Sequence, residues 1–235
     1  MGKVFDAVEA YRAAFGYRDI AAEVDVLCDW FARHHGGSPG AVLEVAAGPA
    51  DHALEFARRG ASVTALDLSP AMCAVAGDRA REAGLRVDVV QGDMTAFRLG
   101  RRFDLVLLLL DSASLLLTEE AMAALLHRAA EHLAPGGLLV ADLAVRGDGP
   151  RPDWTVGDVR TRWGSPQDAY DPVTGVEQVR VRISVGAELV VDEIVPARAW
   201  SSDDLVRLGP LELVGRYSSM AGGAGRDVPV LRRRP

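Results

Sequence analysis

The sequence predicts an α/β protein built as a doubly wound parallel sheet with helices on both faces. Through the middle of the chain, short apolar runs alternate with helix-length amphipathic segments. The connections between them are short, which implies right-handed crossovers, and the strands are continuously apolar, as burial on two sides requires. A chain of 235 residues suits one domain of the larger α/β kind.

Residues 6–35 carry apolar positions at helical spacing (Val24, Leu27, Cys28, Phe31) and run to Gly36-Gly37. Strands are expected at 41–46, 61–67, 85–90, 103–109 and 138–143, with helices at 51–59, 70–83 and 118–133. Ser69 reads as an N-cap with Pro70 at the first helical position, and Gly60 and Gly84 as helix stops. After Gly147 the texture changes to strands at 154–163, 176–185 and 188–199, with a turn at Asp171-Pro172-Val173-Thr174-Gly175. This predicts an antiparallel β insertion between strand five and the last helix, Ser201–Leu208. A final hairpin, 212–218 with 228–233, is expected to bend through the glycine-rich stretch 221–225. The domain therefore divides into a helical cover (1–37), a ligand-binding core (38–147), the insertion (148–200) and the final helix and hairpin (201–235).

Composition narrows the function. A net charge of -7 argues against a broad phosphate-binding face, so nucleic acid is not an expected partner. The longest apolar run is too short to span a bilayer, and the N-terminus lacks a signal-peptide core. Two cysteines, Cys28 and Cys73, sit in apolar helical patterns without metal-ligand spacing and read as reduced thiols. A cytoplasmic protein without a membrane segment or metal is expected, and a homodimer or a partner subunit is compatible with it.

In doubly wound sheets, ligands collect at the carboxyl ends of the strands. Strand one ends Leu43-Glu44-Val45-Ala46-Ala47-Gly48-Pro49-Ala50, a turn of small residues opening a helix. Such a turn admits a ligand close to the backbone, although tight strand–helix turns need glycine for geometry as well. Asp67 closes strand two about 20 residues later, where a carboxylate can accept from both hydroxyls of a ribose. Strand three runs into Gln91-Gly92-Asp93-Met94, and an acid there can accept from an adenine amine. Nicotinamide-dependent domains share the first two features but do not normally need the third.

With these motifs the chain resembles the class I S-adenosylmethionine-dependent methyltransferases over roughly residues 40–143. The resemblance runs through Glu44-Val45-Ala46-Ala47-Gly48-Pro49, Ala65-Leu66-Asp67-Leu68-Ser69, Gly92-Asp93-Met94, Phe103-Asp104-Leu105-Val106 and Leu133-Ala134-Pro135-Gly136-Gly137. It implies a Rossmann-like seven-stranded methyltransferase fold and S-adenosylmethionine as cofactor. More loosely, the N-terminal helix and late insertion are similar to the small-molecule branch, which includes sugar-amine and natural-product tailoring enzymes. Glu44 would then orient the methionine end, through its amine or through nearby backbone, with Ala46 and Gly48 lining it. Asp67 would hold the ribose, Leu68 would pack on adenine, Asp93 would accept from its amine, the Met94 N–H would reach a ring nitrogen, and Leu110 would border the cofactor. Ala46 and Ala50 stand where the family's turn usually carries glycine, which is tolerable if φ stays negative.

On the acceptor side, Asp111 after strand four is the first candidate for a general base, with Ser112 beside it. Asp111 equally fits a cap for the following turn. Tyr11 and Tyr17 lie on the segment that the resemblance places over the cofactor, where core packing is an equal alternative. Trp163, Tyr170 and Tyr217 come from the insertion and final hairpin, where an acceptor could enter. His52 follows the glycine turn and is expected on the helix surface. Methyl transfer to a small molecule is the leading expectation. The alternatives are a non-methylating reaction on the same scaffold, such as cyclisation or elimination, a nicotinamide-dependent oxidoreductase, and a cofactor-binding subunit without turnover.

Overall fold

The computed structural model describes residues 3–146, 151–220 and 225–233. After a 3-10 turn at Lys3–Phe5, the expected helix over 6–35 is two helices, α1 (Val8–Phe15) and α2 (Ile20–His34). The break has a local cause. Gly16 is a poor helix former, and Asp19 caps α2 by accepting the Ala22 N–H at 3.0 Å.

The core then alternates as β1 (Ala41–Val45), α3 (Asp51–Arg58), β2 (Ser62–Asp67), α4 (Pro70–Glu82), β3 (Val87–Gln91) and β4 (Phe103–Leu108). A 3-10 turn (Ser112–Leu115) leads to α5 (Glu119–His132), β5 (Leu133–Ala141) and the short β6 (Leu143–Ala144). Ser69 caps α4, its Oγ accepting the Met72 N–H at 3.2 Å with Pro70 behind it, as expected. The expected strand 154–163 is instead a hairpin of β7 (Asp153–Val156) and β8 (Val159–Trp163), because Gly157 adopts φ +59° and reverses the chain. The insertion continues through β9 (Tyr170–Asp171), β10 (Val176–Val185) and β11 (Glu188–Arg198). Helix α6 (Ser202–Leu208), β12 (Leu211–Tyr217) and β13 (Arg226–Arg233) follow. Except for Gly225, the expected bend over 221–225 lies outside the described residues, as does the expected boundary at 147–148.

The main sheet runs β12-β13-β5-β4-β1-β2-β3, seven strands, with β6 paired to β13. Strands β3, β2, β1, β4 and β5 are parallel, and β13 is antiparallel to both β5 and β12. Alternation along each strand sorts the two faces. Val42, Val63, Ala65 and Leu105 pack with Leu27, Trp30 and Phe31 of α2 and Phe56 of α3, whereas Leu43, Val45, Val106 and Leu108 pack with Met122, Leu125 and Leu126 of α5 and Leu205 of α6. The antiparallel sheet, β11-β10-β8-β7, lays Val159, Val179, Val181 and Ile183 against Val4, Ala10 and Ala14, so α1 joins the insertion to the core. Trp154 fixes that junction by donating its indole N–H to the Ala14 carbonyl at 2.7 Å.

Within β2, Thr64 is fully buried and its hydroxyl is without a hydrogen-bond partner among the described residues. A buried unpaired hydroxyl costs about 1–3 kcal/mol, so Thr64→Val, nearly the same shape, should stabilise the fold by about 1 kcal/mol. In a thermal melt this is a rise of about 2–4 °C for a protein of this size, and an unchanged or lower midpoint contradicts it.

Candidate active site

Five strand-end segments converge on one edge of the sheet. The turn after β1 is the tightest. Gly48 has φ +54°, but so do its neighbours in kind: Ala46 at +53° and Ala50 at +61°. The expectation of negative φ at these alanines is therefore corrected. A left-handed alanine costs about 1–2 kcal/mol, strain that the surrounding bonds hold in place. One of those bonds is supplied by Asp67, whose Oδ2 accepts the Gly48 N–H at 2.7 Å while Oδ1 accepts the Ser69 N–H at 2.8 Å. Burial pushes the Asp67 carboxyl above the usual carboxylate range, partly offset by those two N–H groups.

Ala46, Gly48, Asp67, Leu68, Asp93 and Met94 line one cavity of about 700 Å³. Leu68 is 52% exposed there, a large apolar surface that a flat ligand would cover. Asp93 closes a turn through Oδ1, which accepts from the Thr95 N–H and hydroxyl at 2.7 Å each, and Oδ2 keeps its acceptor capacity. Gly92 lies so close to Leu66 that an added Cβ would sit 2.9 Å from its Cδ1. Six of the eight expected cofactor positions thus share one wall.

Glu44 and Leu110 fall elsewhere. Glu44 is buried on the α2 side of the sheet and lines neither large cavity. Its Oε2 accepts the Ala53 N–H at 2.8 Å, so it acts on the turn through the start of α3. Leu110 lines a second cavity, of about 630 Å³, together with Asp111, Ser112, Tyr11, Tyr17 and Trp163. The two cavities share Phe5, Tyr11, Ser112 and Leu115, so they are halves of one cleft.

Leu110 and Asp111 are consecutive left-handed residues, at φ +55° and +57°. Asp142 holds them, its carbonyl accepting the Asp111 N–H and its Oδ2 the Leu110 N–H. The Asp111 carboxylate accepts the Ala144 N–H at 2.8 Å, and burial raises its pKa above the ordinary value. Asp111 stands at the N-cap position of the 3-10 turn but its side chain makes no capping hydrogen bond there, and it lines the cleft. Tyr11 packs its ring on Phe15 at 4.6 Å, and burial pushes its phenol far above the usual range.

Two expected acceptor-side residues are corrected. Tyr217 stacks on Trp30 at 4.1 Å and bonds His34 through its hydroxyl, which places it in the core under α2. Tyr170 lies beneath the Arg146 guanidinium on β9, and neither tyrosine lines the cleft. No residue of β9 or β12 lines either half of the cleft.

The sequence reading missed Asp142, Arg18 and Glu23. Asp142 is the acid at the end of β5, and the strand-end rule that singled out Asp67 and Asp93 applies to it equally. It is buried and its Oδ1 accepts from Arg226 Nε at 2.6 Å. Arg18 and Glu23 form an ion pair on the cleft wall, and that pair depends on the break between α1 and α2. His52, expected on a helix surface, is 2% exposed. Burial alone would lower its pKa, but the carboxylates of Glu23 and Glu44 outweigh it and push the imidazole up to about 9.

The fold, with acids at the ends of neighbouring parallel strands, is similar to that of class I S-adenosylmethionine-dependent methyltransferases. Residues 42–137 match the family described as a methyltransferase domain. The chain is 35% identical over 125 residues to the dTDP-3-amino-3,4,6-trideoxy-alpha-D-glucopyranose N,N-dimethyltransferase of Streptomyces venezuelae, covering 53% of this chain and 51% of that one. It spans about half the length of the curated relatives it matches. Among solved structures, a S-adenosylmethionine-dependent methyltransferase from Clostridium acetobutylicum superposes with a TM-score of 0.79 at 17% identity, covering 93% of both chains. The S-adenosylmethionine-bound amino pentose methyltransferase of Micromonospora echinaspora gives 0.77 at 23%, covering 96% of this chain and 95% of its own.

S-adenosylmethionine would suit the lining of this cleft. Leu68 and Met94 would give an adenine apolar cover, and Asp93 an acceptor for its amine. Asp67, on the same wall as Gly48, would be the carboxylate for a ribose. The Ala46–Gly48 turn and Arg18 would offer a close backbone and a cation to the amino-acid end.

Proposed function

We propose that this protein transfers the methyl group of S-adenosylmethionine to the amine of a small molecule, an amino sugar being the acceptor class its relatives favour. The observation that carries this reading is one continuous cleft with two halves that meet at Tyr11 and Ser112; in this reading one half takes the cofactor and the other the acceptor. Bound S-adenosylmethionine supplies an electrophilic sulfonium methyl, so the chain's task is to align a neutral nitrogen and keep the cleft dry. Alignment of this kind contributes up to about 7–11 kcal/mol.

Asp67, Asp93, Leu68 and the Met94 N–H fix the adenosine in this reading, and Arg18 with the β1–α3 turn takes the amino-acid end. Tyr11, Phe15, Trp154 and Trp163 form an aromatic wall for the acceptor. Such a wall suits the apolar face of a sugar ring, and its π-faces attract the acceptor's ammonium form. Asp111 then accepts the proton at its carboxylate, leaving the lone pair on nitrogen, with Ser112 orienting the same group. The whole chain acts as one methyltransferase unit in the cytoplasm, consistent with two free thiols among the described residues.

The test is incubation with S-adenosylmethionine and a panel of free and nucleotide-linked amino sugars, followed by mass spectrometry. Gain of one or two methyl groups on nitrogen, with S-adenosylhomocysteine released, supports the reading. An altered but unmethylated product, or no turnover with any amine, overturns it.

A further inference from the structure

His52 is the second residue of α3 and is almost completely buried, yet no step of the proposed reaction uses it. Its Nε2 lies 2.9 Å from Glu23 Oε2 and its Nδ1 lies 3.3 Å from Glu44 Oε1. An imidazole that faces a carboxylate from both nitrogens donates from both only as the imidazolium. Each carboxylate also holds something else. Glu44 takes the Ala53 N–H behind the β1–α3 turn, and Glu23 pairs with the Arg18 guanidinium on the cleft wall.

The result is a buried row of alternating charge, Arg18, Glu23, His52 and Glu44, that ties the start of α2 to β1 and α3. These four charges cancel only while His52 carries its proton. Without it, two buried carboxylates face one guanidinium, and the excess negative charge lies next to the turn that receives the ligand's amino-acid end. In surroundings of low dielectric, such an excess repels a carboxylate strongly. Asp51, next to His52 in the chain, and Asp67, which acts on Glu44 from the neighbouring strand, would add to that repulsion, and Asp51 is itself held by Arg79 at 2.6 Å.

Resting on the S-adenosylmethionine reading of the cleft, we propose that His52 is a positioning residue for the amino-acid end of the cofactor. By bridging Glu23 and Glu44 it fixes Arg18 and the β1–α3 turn, and it supplies the positive charge that lets a carboxylate approach. The adenosine contacts lie at other strand ends and do not involve it.

Calorimetry with two ligands separates the ends. S-adenosylhomocysteine carries the amino-acid end, and 5′-methylthioadenosine keeps adenosine and sulfur without it. His52→Gln should bind S-adenosylhomocysteine about tenfold or more weakly, with 5′-methylthioadenosine unchanged within about twofold. Equal loss for both ligands, or loss for neither, overturns the proposal. Should His52→Gln fail to fold, nitrogen-detected NMR of the wild type decides. Two ring protons on His52 at neutral pH, with resonances that move on adding S-adenosylhomocysteine but not 5′-methylthioadenosine, are the expected result. One ring proton, or the same response to both ligands, overturns it. If the wild type binds neither ligand, the cofactor reading itself fails, an outcome distinct from binding without discrimination.

Discussion

Replacing Asp67 with alanine should weaken S-adenosylmethionine binding by about a hundredfold or more. Each ribose hydroxyl bonded to a carboxylate contributes about 1.5–3 kcal/mol, and one decade of affinity is about 1.4 kcal/mol. The same substitution strips the acceptor from the Gly48 and Ser69 N–H groups, so the strained turn loses one of its supports. Asp67→Asn keeps one oxygen and should fall between. Calorimetry with S-adenosylhomocysteine, alongside a thermal melt to confirm folding, checks this. A folded Asp67→Ala variant with unchanged affinity would remove the basis for placing the ribose there.

Asp111→Asn should lower turnover by about a hundredfold while leaving cofactor affinity within about twofold, because general-base assistance is worth roughly 10²–10⁴. Asparagine retains an oxygen for the Ala144 N–H, so the substitution removes the charge without dismantling the loop. The pH profile gives the sign. Transfer needs the carboxylate form, and burial raises the Asp111 pKa, so wild-type activity falls as pH drops through a midpoint above the usual carboxylate range. In Asp111→Asn that acidic limb should vanish. If the limb persists, or turnover is retained, Asp111 is a loop cap and alignment alone carries the reaction.

Most of the sheet was legible because its strands are buried on both faces and therefore read as apolar runs between helix signals. Ser69, Pro70 and Gly84 mark their helix by local chemistry alone, and the structure shows that cap as expected. Asp67 and Asp93 were legible for a different reason: an acid at the end of a strand stands out from the apolar residues before it. Asp142 obeys the same rule. It stands out less in the sequence because apolar residues, Leu143, Ala144 and Val145, continue the run beyond it.

The rest was hidden for physical reasons. The negative-φ expectation at Ala46 and Ala50 failed because the turn between them is held by Asp67, which lies on the next strand and binds the Gly48 N–H. His52 looked like a surface residue because a polar side chain in a short helix usually is one. Only the packing of α2 on α3 brings Glu23 beside it and buries it between two carboxylates. Tyr170 and Tyr217 failed similarly, since neither of their strands contributes a residue to the cleft and each ring is taken by another partner, Arg146 or Trp30.

By itself, then, the sequence determined the alternation of strands and helices through the core, the capped start of α4 and the acids at the strand ends. These depend on burial periodicity and local hydrogen bonding, which neighbouring residues decide. The tertiary structure alone decided which side chains meet: the union of two cavities into one cleft, the buried row from Arg18 to Glu44, and the left-handed alanines. Each of those needs groups far apart in the chain to be held within hydrogen-bond distance, and only the folded core can hold them there.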